Sequence, residues 1–319
     1  MRALIFSATK CCVMPPMQRN MIYSDAYLSI DQVREKRAKK RNRIREPGQF
    51  IRAARKDFNE YGIRNMLISD LYRMADDAET EDDLLLVVNV LRNFLKSSCA
   101  ISQDFSQIVT RMLDVCFVLN SVKAANEMWH DPELSPFLIG DKLSLRYMVL
   151  LYNNGHYSSL AQLAKENPQC VVFPQSHVIL AALYKIGTRE AFELAKTCFY
   201  VQNIWPKRGD FHRGRRSTLL YAFFAYRMGE LAHAYEVLNN PIFRRGQNNL
   251  SMNIQLQILA DMGRFQDALL LIRNRLSMRF VTIFYLICFD ILRDCVCFIG
   301  QNYKKVVKYF LEEKSSPTW

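Results

Sequence analysis

Residues 150–164 read LLYNNGHYSSLAQLA: an apolar run, a break at Gly155, and a second run that carries Ala. Gly at the end of a helix supplies the left-handed backbone that closes it, and small Ala side chains let two helices approach closely. The stretch therefore predicts two helices joined by a tight turn. The same pattern occurs in four further stretches, residues 116–129, 183–196, 224–238 and 258–272.

These breaks recur at a nearly constant spacing. They fall at Asn120, Gly155, Gly187, Gly229 and Gly263, which are 35, 32, 42 and 34 residues apart. A single helix pair of this size cannot bury its apolar faces alone and has to stack on neighbouring pairs. The repeat therefore predicts an all-α protein, an α-solenoid of stacked helical hairpins over residues 61–279, with capping helices at 280–319.

The composition agrees with a helical chain. Gly and Pro together account for 21 of 319 residues, and half of the residues are hydrophobic. So few breakers argue against a turn-rich all-β fold. Apolar side chains also follow a 3.6-residue period, as in the set Leu84, Val87, Val88, Leu91 and Leu95.

The cysteine pattern bears on the redox environment. The nine Cys are odd in number and scattered, which indicates thiols in a reducing environment rather than a disulfide framework.

The apolar run 280–289 is interrupted by Asp290, Arg293 and Asp294. It falls short of the roughly 20 apolar residues that cross a bilayer, so we expect a buried helix there and no membrane span.

Residues 1–24 contain Arg2, Lys10 and Arg19 but no Asp or Glu. A basic, acid-free leader with scattered apolar residues is typical of a mitochondrial transit peptide. A tail that lacks acids by chance is the alternative. The leader predicts a mitochondrial matrix protein.

A basic arm is expected over residues 25–60. Its stretch 34–56 holds eleven basic and two acidic residues, within a chain of formal net charge +12. Such a surplus favours a polyanionic partner, and an RNA contact through Arg37, Lys39, Lys40 and Arg41 is one interpretation. A solvated arm and a nuclear localisation signal are the others.

An insert explains the one long interval between breaks. Residues 204–217 read IWPKRGDFHRGRRS. Insertions between repeats form loops that often lie on the binding face, and cations interleaved with aromatic rings suit phosphate pairing with base stacking. The candidate RNA contacts are Lys207, Arg208, Arg213, Arg215 and Arg216; a solvated loop with a buried Trp205 is the alternative.

Several segments carry a family resemblance. The period near 35, together with MIYSDAYLSIDQV (21–33), TEDDLLLVVNVL (80–91), LDVCFVLNSVKAANEM (113–128) and YMVLLYNNGHYSSLAQLAKE (147–166), resembles the pentatricopeptide repeat (PPR) family, in particular its mitochondrial members. The resemblance covers roughly residues 21–276. It implies a right-handed superhelix that takes part in RNA maturation and thereby in respiratory-chain expression.

The resemblance also implies base-reading positions ten residues before each break. These are Thr110, Leu145, His177, Leu219 and Asn253. Thr110 and Asn253 match the polar residues that the family uses to read single-stranded RNA, whereas Leu145 and Leu219 cannot hydrogen-bond a base. The second position, which closes each repeat, fits at Asn248 and not at Gly140 or Val172.

No phosphate-binding loop, dinucleotide fingerprint, zinc-protease or nucleophile-elbow motif occurs. The acidic residues 76–83 suit a loop and a helix cap better than a magnesium site. We therefore predict a non-catalytic protein without cofactor or metal that binds single-stranded mitochondrial RNA, with RNA-processing or ribosomal proteins as further partners. The alternative is a protein-binding solenoid scaffold in mitochondrial ribosome or respiratory-complex assembly.

Overall fold

The computed structural model describes residues 23–41, 48–62, 67–97, 103–138, 140–166, 174–204, 214–240 and 249–277. Within these ranges the regular structure consists of fourteen α helices and one short 3-10 helix, without a strand. The prediction of an all-α protein is confirmed. Most of the predicted leader (1–22), the centre of the insert (205–213) and the predicted cap (280–319) lie outside the described residues.

The helices follow in chain order as α1 (Ile30–Arg41), α2 (Gln49–Tyr61), α3 (Ile68–Asp77), α4 (Glu81–Ser97), α5 (Gln103–Val118), α6 (Val122–His130), α7 (Asp141–Asn153), α8 (Tyr157–Glu166), α9 (Gln175–Ile186), α10 (Arg189–Ile204), α11 (Gly214–Arg227), α12 (Leu231–Asn239), α13 (Asn249–Asp261) and α14 (Phe265–Ser277). The 3-10 helix, Ser135–Leu138, stands between α6 and α7.

Each of the five predicted breaks ends the first helix of a hairpin, and all five have a left-handed backbone. Their φ angles run from 57° at Asn120 to 82° at Gly229. In the α7–α8 turn, Gly155 N–H donates to the Tyr152 carbonyl at 3.0 Å and His156 N–H to the Leu151 carbonyl at 2.9 Å. This Schellman pair of bonds satisfies carbonyls that the helix end leaves open, so the sequence prediction of the turn positions is confirmed.

Successive hairpins pack on one another in residues 23–220, which form one compact unit. The first helices make a row in which α3 packs on α5, α5 on α7 and α7 on α9, while α4 packs on α6 and α8 on α10. We call α3, α5, α7 and α9 the first-helix row. Its side-chain contacts join residues about one sequence period apart: Asp76 with Arg111, Asp114 with Arg146, and Asn120 with Asn154.

Residues from 221 onward belong to a second compact unit, so the boundary falls within α11. Here α13 packs on α12 and α14. Leu256, Leu259 and Ala268 form a buried cluster, and the Tyr226 hydroxyl donates to Asp261 Oδ2 at 2.6 Å, 35 residues further along. The one-period contact of the first unit therefore recurs in the second.

The described part of the basic arm is helical and packed. Helix α1 lies against α3 and α5, and α2 against α3 and α4. In α1 the side chains of Ile30, Val33 and Arg37 are buried. Their i, i+3, i+7 spacing places them on one side of the helix, so α1 can pack although most of its other side chains are charged.

In the described part of the chain, no helix combines the length and the apolar character that a bilayer crossing requires.

The left-handed turns can be tested at Gly155, where φ is 77° and an added Cβ would meet no atom within 4 Å. Gly155→Ala should therefore lower the free energy of unfolding by about 1 kcal/mol through backbone strain alone. Gly155→Asn should cost less, since Asn tolerates this conformation and already occupies it at Asn120. Urea denaturation followed by circular dichroism measures both; equal losses would contradict a conformational cause.

Candidate nucleic-acid interface

The structure describes Ile204 and the last four residues of the insert, 214–217. Lys207, Arg208 and Arg213 lie outside the described residues, and Arg215 is described in its backbone alone. Gly214, Arg215 and Arg216 open α11, and Arg216 is exposed. No acidic residue occurs in this first turn, so the arginines add to the partial positive charge of a helix N-terminus. An anion is the favoured partner for that combination.

The arm cations are largely engaged within the protein. Lys39 Nζ lies 2.6 Å from Glu35 Oε1, and Lys40 Nζ lies 2.6 Å from Asp76 Oδ2. Arg37 is 3% exposed, and its guanidinium donates to the backbone carbonyls of Asp76 and Ala78. Arg37 is therefore a structural side chain and is left out of the candidate interface. Arg41 ends α1, and its side chain lies outside the described set.

Asp76 and Asp77 account for the buried part of the acidic cluster. Asp76 accepts from Arg111 Nε at 2.8 Å as well as from Lys40. Asp77 accepts from the N–H groups of Gly48 at 2.7 Å and Ile51 at 3.1 Å, and so caps α2. Both carboxylates thus hold the arm helices on the first-helix row.

Asp83 supplies a second cap in the same cluster. Its Oδ2 accepts from the N–H groups of Glu79 at 3.2 Å and Thr80 at 3.1 Å, while its own N–H donates to Thr80 Oγ1 at 3.2 Å. These are the reciprocal bonds of a capping box at the start of α4. The described residues contain no group of three or more His, Cys, Asp and Glu side chains arranged to hold a metal ion.

A second buried pair joins α5 and α7. Arg146 Nη1 donates to Asp114 Oδ1, and both side chains are about nine-tenths buried. Burial raises the pKa of Asp114, and the charge of Arg146 offsets part of the rise. Because this folded pKa is raised, the contribution of Asp114 to stability is full below the unfolded value of about 3.9 and is lost as pH rises through the folded pKa.

Asp131, at the end of α6, behaves in the opposite way. Burial opposes its ionisation, but the Arg92 side chain and the Glu133 N–H, at 2.8 Å, together outweigh burial and lower its pKa. Its contribution to stability is therefore present above the unfolded value of about 3.9 and is lost as pH falls through the folded pKa.

The base-reading positions are less accessible than the resemblance implies. Leu145 and His177 are 4% and 3% exposed. Thr110 is half-buried, and its hydroxyl donates to the Ser106 carbonyl of its own helix at 2.8 Å. Leu219 and Asn253 are half-buried. Asn253 therefore remains the position with both a base-reading amide and partial exposure.

His177 is covered by the segment before α1. His177 Nδ1 and the Tyr23 hydroxyl share a hydrogen bond of 2.7 Å, and Tyr23 donates to the Pro174 carbonyl at 3.2 Å. This contact was not predicted from the sequence, because Tyr23 fell within the predicted leader. Arg111 and Arg146 were not predicted either, although both stand nine residues before a break, and this shared position was a signal of a repeated role.

The cysteines at the described positions are buried thiols. Cys116 and Cys198 are free and buried, and burial raises their pKa values to about 12 and about 11. Neither is available as a thiolate near neutral pH. This agrees with the structural role that the scattered cysteines indicated.

Comparison of the chain with models of protein families, with curated proteins and with solved structures gives no match.

The Asp114–Arg146 pair predicts unequal effects of single and double substitutions. Arg146→Met leaves a buried carboxylate without its cation and should cost about 3–5 kcal/mol of unfolding free energy. Asp114→Leu combined with Arg146→Met should recover part of that loss, since replacing both partners by apolar groups is often neutral, while the Leu28 carbonyl still loses its two Arg146 donors. Denaturant titration provides the measurement.

Arg264→Met is the surface control, because Arg264 and Asp267 are both 44% exposed in their side chains and such pairs contribute about 1 kcal/mol or less. A loss at Arg146 no larger than at Arg264 would contradict the assigned role of the buried pair.

Proposed function

We propose that the protein is a non-catalytic α-solenoid of the PPR type that binds single-stranded RNA in the mitochondrial matrix, mainly through phosphate contacts. The observation that carries this proposal is the insert at 204–217, where five cations lead into a helix N-terminus that has no acid in its first turn. The role that fits is RNA processing or maturation, and thereby respiratory-chain expression.

The solenoid part of the proposal is supported by the repeat of contacts along the chain. Five left-handed turns, a row of first helices and side-chain contacts one period apart are what stacking of equivalent hairpins requires.

Phosphate contacts are favoured over base-by-base reading. Leu145 is buried, and the Thr110 hydroxyl donates to a carbonyl of its own helix. Backbone contacts give affinity without sequence information, so a protein of this kind would hold or present a transcript rather than select one by every repeat.

The mitochondrial assignment rests on the acid-free leader. Tyr23 is buried against α9, so a leader that is removed while the fold is kept would end before Tyr23, slightly earlier than the boundary expected at residue 24.

A second candidate is a protein-binding scaffold in ribosome or respiratory-complex assembly. The observation in its favour is that the first-helix row already holds a peptide segment of this chain, anchored by Tyr23 on α9 and by the Leu28 carbonyl on α7. Solenoid faces bind partner segments in this way.

The phosphate proposal predicts a strong salt dependence of single-stranded RNA binding, with a slope near −0.7 per neutralised phosphate. Replacing Lys207, Arg208, Arg213, Arg215 and Arg216 by Ala should weaken binding and flatten the slope. Fluorescence anisotropy with a labelled oligonucleotide over a range of salt concentrations measures both quantities.

The matched control replaces five other exposed cations by Ala: Lys123, Lys142, Lys165, Lys185 and Lys196. Net charge falls equally in the two variants, so a difference between them reports location. Equal slopes would place the phosphate contacts outside the insert.

Asn253 is the remaining candidate for base reading. Its amide can both donate to and accept from a Watson–Crick edge, so Asn253→Ala should change the preference among bases at one position by about 1 kcal/mol. Leu145→Ala should lower stability and leave the preference unchanged, because Leu145 is buried. Competition binding with a set of single-base RNA variants tests this; uniform weakening by Asn253→Ala would mean that Asn253 contacts no base.

A further inference from the structure

Residues 23–29 precede α1, and we call them the strap. The strap touches the first-helix row at two helices, α9 through Tyr23 and α7 through Leu28. Tyr23 and Leu28 are both buried. The contacts join residues 154 and 118 positions apart, so the strap closes over hairpins far along the chain.

The two contacts that anchor the strap, the Leu28 carbonyl and the Tyr23 ring, resemble the contacts that a phosphate oxygen and a base of single-stranded RNA would make. Arg146 directs Nε and Nη2 at the Leu28 carbonyl oxygen, at 3.1 Å and 2.9 Å, the forked arrangement with which Arg also binds a phosphate oxygen. The rings of Tyr23 and Tyr27 stack at 4.7 Å, and the ring of Tyr23 lies 6.2 Å from that of His177 at an interplanar angle of 19°. Stacked bases make contacts of this kind with aromatic side chains.

Arg216, the last cation of the insert, acts on the same place. Its positive charge opposes the rise in the pKa of Tyr23 that burial and Tyr27 cause. A strand with a phosphate held by Arg216 would therefore run beside the first anchor of the strap.

The strap is also held at some cost. Ser29 has φ of 59°, a left-handed conformation that is unfavourable for residues other than Gly and a few polar types. Asp25 Oδ1 is buried without a hydrogen-bond partner, which carries a desolvation penalty, although Oδ2 of the same carboxylate pairs with Arg34. Release of the strap would relieve the backbone cost and the Oδ1 cost, so displacement by a competing ligand is easier than for a segment without them.

We propose that the strap is an internal competitor of RNA. In the free protein, residues 23–29 cover the side chains of Arg146 and His177, and single-stranded RNA binds to these two side chains when it displaces the strap. This inference rests on the proposed function. It makes RNA affinity depend on a closed–open equilibrium of the strap, since only the open fraction is competent for that site.

The test uses the full chain and a labelled single-stranded RNA of mixed sequence, about 16 nucleotides long. Tyr23→Ala removes the ring and the hydroxyl, and should tighten binding by about tenfold because the open fraction rises. Tyr23→Phe keeps the ring and should give a smaller gain. Tyr61→Ala, at a tyrosine that is 60% exposed at the end of α2, should leave affinity unchanged.

Hydrogen exchange of the wild-type protein gives a second readout that needs no variant. The N–H groups of Leu28 and Ile30 donate to the carbonyls of Ser24 and Asp25 at 3.1 Å and 2.8 Å. Both should exchange faster when RNA is bound, while the N–H of Ser121 in the α5–α6 turn should not change. Should Tyr23→Ala fail to fold, Tyr23→Phe and this measurement decide the question.

The outcomes separate the two proposals. RNA binding by the wild type, with no gain in Tyr23→Ala and no faster exchange in the strap, would overturn the strap as competitor and leave the proposed function standing. Absence of RNA binding in the wild type and in every strap variant would overturn the proposed function and the competition together, and would favour the protein scaffold.

Discussion

The structure depends on a constraint at one residue in each of the five hairpins that begin with α5, α7, α9, α11 and α13: the chain passes through a left-handed conformation to reverse direction after the first helix. Gly meets it at four turns and Asn at the fifth. Once the reversal is fixed, the apolar sides of the two helices face neighbouring hairpins, and a further hairpin is needed to bury them. The row from α5 to α9 follows from repeating this step, whereas the α3–α4 connection turns without a left-handed residue.

Side-chain pairs between first helices add a second layer of order. Arg111 meets Asp76 on the preceding first helix, and Arg146 meets Asp114 in the same way. In a wrong register between hairpins, each pair would be broken and a charge would be left unpaired in the interior. The free-energy cost of that unpaired charge is larger than the net gain from the pair in the correct register. The apolar contacts are similar from hairpin to hairpin and so do not distinguish one register from another, whereas the charged pairs do.

Local backbone requirements could be predicted from the sequence, whereas contacts between residues far apart in the chain could not. A left-handed turn is a local requirement of the backbone. Gly155 and Asn120, each at the end of an apolar run, therefore predict it from the sequence alone. The burial of His177 depends on Tyr23, 154 residues away, and no local pattern reports that contact. Arg37 lies between these cases: its charge suggested a surface, but its spacing from Ile30 and Val33 already placed it on the buried side of α1.

The distribution of charge narrows where a polyanion can bind. Among the arm cations, Lys39, Lys40 and Arg55 are paired with Glu35, Asp76 and Asp83, and Arg37 is buried. Each of these pairs has a weaker field at a distance than a lone cation, because the opposite charges largely cancel beyond the pair. The start of α11 differs, because it has no acid in its first turn and because Arg216 acts on Tyr23. If RNA binds as proposed, a phosphate held by Arg216 would lie near Tyr23 of the strap, and RNA affinity would then depend on strap opening.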